Sequence, residues 1–296
     1  MIDAAFVFDI DGTLYLHREG AASQLAVLMQ AIGERGARFA VATSRPLHDV
    51  LAIFRGSTLP YLAICNDGAL SFRVGPDGAT ELLDSIPVSD VSVLAQSSFA
   101  AGDLAHPIIF TISADGEGPV MLPRAGVCLA ASLVALTPGR DYRHCDKLSE
   151  ALDACRTQGL QVRSLAYFVP NAEAARHAVS ARTIAAALGN ARVLSYVDTR
   201  VDDGYWHEVV NDALGKQTAI SRLRRAALIP RWIIASGNAW NDLEMLAAAD
   251  IAVVPLDAEQ AALDVAQVVA GAAGGIGFVT WMLENHGTLL DESLRL

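Results

Sequence analysis

The chain has 296 residues, 52% of them hydrophobic, and a formal net charge of −11. That apolar content is ample for a core and excludes a disordered chain. The acidic balance excludes general nucleic-acid binding, because phosphate backbones would be repelled, yet leaves room for a small basic site that takes a phosphorylated metabolite.

The cysteines, Cys65, Cys128, Cys145 and Cys155, form no CxxC pair, so zinc spacing is absent and free thiols of a reducing cytosol are expected. No basic segment precedes the first apolar run, and no apolar run approaches the ~18 residues that span a bilayer. A cytoplasmic protein without a membrane partner is expected, either monomer or homodimer.

In chain order, AAFVF at 4–8 is apolar without alternation, as a strand buried on both faces of a parallel sheet should be. A helix is expected over 22–35, a second buried strand in ARFAVAT, a helix from Arg45-Pro46 through Phe54, and a third strand in YLAICND. Strand, helix, strand, helix, strand implies a doubly wound α/β domain. From Asp84 the pattern changes. PIIFTIS, PVMLP and SLAYFV are strand-like, with Asp115-Gly116 and Pro138-Gly139 as turn signals. One helix stands out here, Ala172–Leu188, capped by Asn171 and closed by Gly189, followed by the strand ARVLSYV. The expected organisation is a core of 1–83 and 206–296 around an α+β insertion at 84–205. The parallel pattern is expected to resume with YWHEVVN, a helix over 216–227, RWIIAS, a turn GNAWND leading into a helix, and IAVVP as the last strand, with AGAAGGIG a loop.

In open α/β sheets ligands bind beyond the carboxyl ends of the strands, where Asp9, Thr43 and GNAWND all fall. A bare Asp-x-Asp there is ordinary turn and cap chemistry. The full string DIDGTL, with Asp9, Asp11 and Gly12, resembles the first motif of the haloacid dehalogenase-like superfamily of phosphatases, in its Cof-like and sucrose-phosphatase-like branch. The resemblance extends to ATSRP at 42–46, GKQTAI at 215–220 and SGNAWNDLEML at 236–246.

This resemblance implies a Rossmann-like core with an inserted α+β cap that selects substrate. It implies that Asp9 attacks phosphorus, that Asp11 carries the proton, that Thr43 binds phosphate and that Lys216 stabilises the transferring group. Gly12, Ser44, Arg45 and Asn241 fall at substrate-contacting positions, although Arg45 also reads as a surface residue of a helix first turn. A Mg²⁺ site is implied at Asp9, the backbone carbonyl of Asp11, Asn238 and Asp242. Asn238 departs from the pattern, standing where the family has an aspartate. Lys216 has its own signal: a lysine at a helix start opposes the macrodipole. In the insertion, Arg163, Tyr196 and Arg200 could read a leaving group or simply pack, and His207 is expected at the domain junction.

The implied function is Mg²⁺-dependent hydrolysis of a small phosphate monoester, a sugar or polyol phosphate. Two alternatives stand beside it: a binding or regulatory module impaired by Asn238, and a phosphomutase.

Overall fold

Strand β1 (Ala4–Phe8) has all five residues fully buried, which is why its sequence needs no polar alternation. The structure is a computed structural model that describes residues 3–16, 22–96, 106–124, 129–136, 139–198, 201 and 203–293. Cys128, Pro138 and Arg200 lie outside the described residues. Helix α1 (Ala22–Glu34) sets Leu25, Leu28, Met29 and Ile32 on one helical stripe, and all four are buried. Strand β2 (Arg38–Ala42), α2 (Leu47–Ile53) and β3 (Tyr61–Cys65) follow as expected. Two strands not anticipated come next, β4 (Leu70–Val74) and β5 (Thr80–Ser85), each antiparallel to its predecessor.

Contacts divide the chain into two units, residues 1–85 with 214–296, and residues 86–213. The second unit comprises α3 (Val91–Gln96), β6 (Ile108–Ser113), β7 (Gly116–Pro123), α4 (Ala130–Leu136), β8 (Tyr142–Cys145), α5 (Leu148–Thr157), β9 (Gln161–Pro170), α6 (Asn171–Leu188), β10 (Ala191–Asp198) and β11 (Gly204–Asn211). Its sheet runs β10-β11-β9-β6-β7-β8, antiparallel except for the β7–β8 pair. One face carries Ile109, Met121, Leu165 and Tyr167, packed with Leu152 and Cys155 of α5 and Ile184 of α6. The other carries Phe110, Val120, Phe168 and Trp206, with the Phe168 and Trp206 rings stacked 4.3 Å apart.

YWHEVVN does not resume the parallel sheet: it is β11, antiparallel between β10 and β9, because apolar content reports burial and not the sheet that supplies it. Helices α3, α4 and α5 accompany α6, each too short for a decisive period. Asn171 is the first helical residue of α6 and not its cap; its backbone N–H donates to the carbonyl of Asp203 at 3.1 Å. Gly189 does close α6, with a left-handed φ of 73°. His207 lies within the second unit's own sheet, donating Nε2–H to the Ala174 carbonyl at 2.8 Å and accepting the Ser195 hydroxyl at Nδ1.

The first unit is completed by α7 (Lys216–Arg225), β12 (Trp232–Ser236), α8 (Leu243–Ala247), β13 (Ile251–Val254), α9 (Gln260–Val265), β14 (Val268–Val269) and α10 (Ile276–Ser293). β13 is therefore not the last strand. The sheet order is β14-β13-β12-β1-β2-β3-β4-β5, with the pairs from β14 to β3 all parallel. On one face Ala5, Val7, Ala40 and Ala235 pack with Ala219 and Leu223 of α7, Met245 of α8 and Ala262 of α9. On the other, Phe6, Phe8 and Phe39 alternate with them, and α1 and α10 cover that side. This is the expected doubly wound α/β core with an α+β insertion. Among the described residues no helix is long and apolar enough to cross a membrane.

His177 of α6 is buried against the Tyr167 ring at 5.0 Å, and neither ring nitrogen has a hydrogen-bond partner among the described residues. Burial, aided by Arg176, lowers its pKa below the ordinary 6.5. In falling pH the unfolded chain therefore takes a proton that the folded chain refuses, so stability is full above pH 6.5 and declines below it. Replacing His177 with Phe removes both the unmatched nitrogens and this titration. The variant should melt higher than wild type, by about 1 kcal/mol of stability at pH 7, with the gap widening toward pH 5.5. Melting curves across that range check it, and a gap that narrows on acidification contradicts it.

Candidate active site

The order β12-β1-β2-β3 brings four strand ends side by side. Asp9 follows β1, Thr43 follows β2, Asn66 and Asp67 follow β3, and the turn containing Asn238 and Asp242 follows β12. Lys216, the first residue of α7, reaches into this cluster. Its Nζ donates to Asp9 Oδ1 at 2.6 Å and to Asp242 Oδ1 at 2.7 Å. All three side chains are sealed from solvent, at 1%, 7% and 0% exposure. The local cost of a lysine at a helix start is thus offset by two carboxylates that stand just beyond β1 and β12.

Two buried carboxylates share one ammonium, so one negative charge is left over. Burial pushes the Asp9 carboxyl up to about 7, against the pull of Lys216, and Asp242 adds to the rise. Burial would lower the Lys216 ammonium, but Asp9, Asp242 and Asp67 together hold it above the ordinary lysine value. The second oxygen of Asp242 accepts the backbone N–H groups of Asn238 at 2.9 Å and Ala239 at 3.1 Å. This carboxylate therefore sets the shape of its own turn.

The other expected residues arrange themselves around this centre. Arg45 grips Asp11 with two hydrogen bonds, Nε to Oδ2 at 2.7 Å and Nη2 to Oδ1 at 2.5 Å. Its guanidinium also lies 5.7 Å from the Tyr15 ring. The bond to Asp11 raises the Arg45 pKa. Arg45 is thus no loose surface arginine. Thr43 is buried, and its hydroxyl accepts the backbone N–H of Arg45 at 3.1 Å. Asn238 accepts the Thr13 hydroxyl on its amide oxygen at 3.1 Å. Gly12 lies against it: with φ at 80°, a Cβ there would meet Asn238 Nδ2 at 2.3 Å. Ser44 is exposed, Asn241 is half-buried beside Asp242, and Trp240 in the same turn is 67% exposed.

Whether these residues suit a Mg²⁺ ion rests on their chemistry. Among the described residues no three His, Cys, Asp or Glu side chains form a metal cage. Mg²⁺ does not require one, since it binds through one or two carboxylates, waters and substrate phosphate. Asp9 and Asp242 supply two hard oxygen donors and an uncompensated charge, and the Asn238 amide oxygen is a third donor nearby. The set fits.

Asn66 and Asp67 were missed by sequence reasoning. Both adopt left-handed backbone, at φ 51° and 54°. Asp67 adds to the field that holds Lys216 charged, and its N–H donates to the Thr43 carbonyl at 3.0 Å. A polar Asn-Asp-Gly turn closing an apolar strand at the ligand end of a parallel sheet was the available signal.

A family model described as haloacid dehalogenase-like hydrolase matches residues 6–111. No curated protein matches the chain. Among solved structures, a haloacid dehalogenase-like hydrolase from B. subtilis shares 17% identity and a TM-score of 0.64, covering 95% of this chain and 98% of its own. A phosphatase of the same superfamily from Bacteroides thetaiotaomicron shares 17% identity and a TM-score of 0.62, covering 99% and 95%. A structure described as a subclass IIB sugar phosphatase shares 17% identity and a TM-score of 0.59, covering 96% and 98%. Residues 6–111 thus carry the haloacid dehalogenase-like hydrolase pattern, and the whole chain has that fold. A structure described as a HAD/Cof-like hydrolase from Plasmodium vivax shares the same fold at 17% identity and a TM-score of 0.61, covering 96% of this chain and 95% of its own.

Gly68 follows Asp67 with φ at 94°, and a Cβ there would lie 2.3 Å from the Gly215 carbonyl oxygen, immediately before Lys216. Gly68→Ala should cost about 1–3 kcal/mol through backbone strain and displacement of the start of α7. Chemical denaturation measures this, and an unchanged midpoint would show that the close approach is not required.

Proposed function

We propose that this chain is a Mg²⁺-dependent phosphatase that hydrolyses a small phosphate monoester, a sugar or polyol phosphate, through a phosphoaspartate at Asp9. The observation that carries the reading is the sealed Asp9–Lys216–Asp242 arrangement at the ends of adjacent parallel strands. It holds one carboxylate oriented by a fixed ammonium, with room in its charge for a cation.

In this reading an Asp9 oxygen attacks phosphorus, the Asp9 O–P bond forms and the ester O–P bond breaks. Lys216 pulls Asp9 toward its ionised form against the effect of burial and offsets negative charge on the transferring group. Asp9, the Asp11 carbonyl, Asn238 and Asp242 would hold Mg²⁺, which would supply charge neutralisation on phosphoryl oxygens. Asp11 protonates the departing alcohol and then takes a proton from the water that cleaves the phosphoaspartate. For this the Asp11–Arg45 pair must open, and Arg45, with Ser44 and Asn241, is then available to the substrate. Thr43 and the Gly12 backbone complete the phosphate contacts. The unit at 86–213 acts as the substrate-selecting cap. The free, buried thiols of Cys145 and Cys155 suit a reducing cytoplasm.

Phosphate release from a panel of sugar phosphates should require Mg²⁺ and be lost in Asp9→Asn, with the variant still folded. Turnover that survives in Asp9→Asn sinks the covalent route. Appearance of an isomerised phosphate ester instead of free phosphate would favour the mutase alternative.

Asn238→Asp restores the missing charge beside Asp9 and Asp242 while keeping an oxygen for the Thr13 hydroxyl. Titration calorimetry should show Mg²⁺ binding about tenfold tighter than wild type. Equal or weaker binding removes Asn238 from the metal site and removes the reason to read the chain as an impaired module.

A further inference from the structure

We propose that Arg140 and Arg163, both laid over the ring of Phe110 in the second unit, form a binding site for the carboxylate or phosphate group of a small ligand. The guanidinium carbons lie 5.3 Å and 4.7 Å from the ring centroid. Both side chains are 11% exposed. Phe110 faces the side of the sheet that carries Val120, Phe168 and Trp206.

Three nitrogens of this pair are not matched by protein acceptors among the described residues. Nε and Nη2 of Arg140 and Nε of Arg163 are buried and make no hydrogen bond among the described residues. Their carboxylate neighbours stand too far away to close one. Arg140 Nη2 is 3.6 Å from Glu117 Oε2, and Arg163 Nη2 is 3.5 Å from Glu208 Oε1. A charge-assisted bond would close to about 2.7–2.9 Å. Glu208 is turned to other partners: Oε1 accepts the Ser164 hydroxyl at 2.5 Å, and Oε2 accepts the Tyr196 hydroxyl at 3.4 Å. Burial lowers the Arg140 pKa, and Arg163 adds to the lowering while Glu117 opposes it.

An arginine pair that merely fastened strands would be expected to close its hydrogen bonds, because buried donors left unmade are costly. A planar oxyanion between two guanidinium forks takes such donors bidentately. The ring of Phe110 holds both forks in place from below. Glu117 and Glu208 balance the charge of the pair. Tyr196, 41% exposed, joins the cluster to solvent through Glu208. The ligand class is therefore a small carboxylate or phosphate. As a substrate-selecting site this rests on the phosphatase reading; as a binding site it stands without it.

The test is a titration of the full chain, watching the Nε–H resonances of Arg140 and Arg163, assigned with Arg140→Gln and Arg163→Gln. The probes are glycerate, inorganic phosphate and neutral glycerol. The Nε–H signals should shift saturably with an anion and stay still with glycerol. A response to glycerate alone identifies a carboxylate site, and a response to phosphate alone a phosphate site. Binding read at Arg140 should weaken about tenfold in Arg163→Gln, and less in Arg163→Lys. The same shifts should appear in Asp9→Asn, so a failure of the phosphatase reading leaves this result intact. Signals unmoved by both anions, or moved equally by glycerol, overturn the proposal: the donors then hold trapped water only.

Discussion

A lysine ammonium withdrawn from water, held between two buried carboxylates, is the constraint on which the first unit depends. Isolated, any one of these charges would be prohibitively costly to bury. Together they are tolerable only while β1 lies beside β12 and α7 begins where it does. Asp9 reaches Lys216 across 207 residues of sequence, and Asp242 across 26. The parallel sheet makes that meeting possible, and the meeting in turn ties the separated halves of the unit together.

The surrounding groups follow from this centre. Asp242 spends one oxygen on Lys216 and the other on two backbone N–H groups, so the ion pair also dictates the path of the GNAWND turn. The turn carries Asn238, which presses on Gly12 and takes the Thr13 hydroxyl. Asn66 and Asp67 hold left-handed backbone that bulky residues avoid, and the adjacent Gly68 lets that turn approach the start of α7. Strain of this kind persists only where the surroundings over-determine it, and here it brings a third carboxylate into the field of the lysine.

The second unit solves a different problem. One face of its sheet is sealed by helices in an ordinary apolar core. The other is aromatic, with arginine and glutamate pairs set among the rings. Charges on an aromatic face contribute little to stability when their hydrogen bonds stay long. Their geometry has a chemical use when a ligand supplies the missing acceptor.

Much of the fold could be read from local pattern. Buried parallel strands announce themselves as unbroken apolar runs, so β1, β2, β3, β12 and β13 were legible, as was the helical stripe of α1. Gly189 closing α6 followed from the freedom of glycine in left-handed backbone. The string DIDGTL, the lysine at 216 and the turn at 236–246 were legible as candidate chemistry. What the sequence could not carry was partnership. The apolar pattern of YWHEVVN records that the strand is buried but not which sheet buries it, so its antiparallel place in the second unit emerged only in three dimensions. Asn171 has the chemistry of a cap, yet backbone placement put it one residue inside the helix. Arg45 could have been a surface residue until the fold set Asp11 within its fork. The physical reason is common to all three. Periodicity and residue type fix what a segment needs, namely burial, a counter-charge or an acceptor. Which distant group meets that need is decided by the tertiary structure alone.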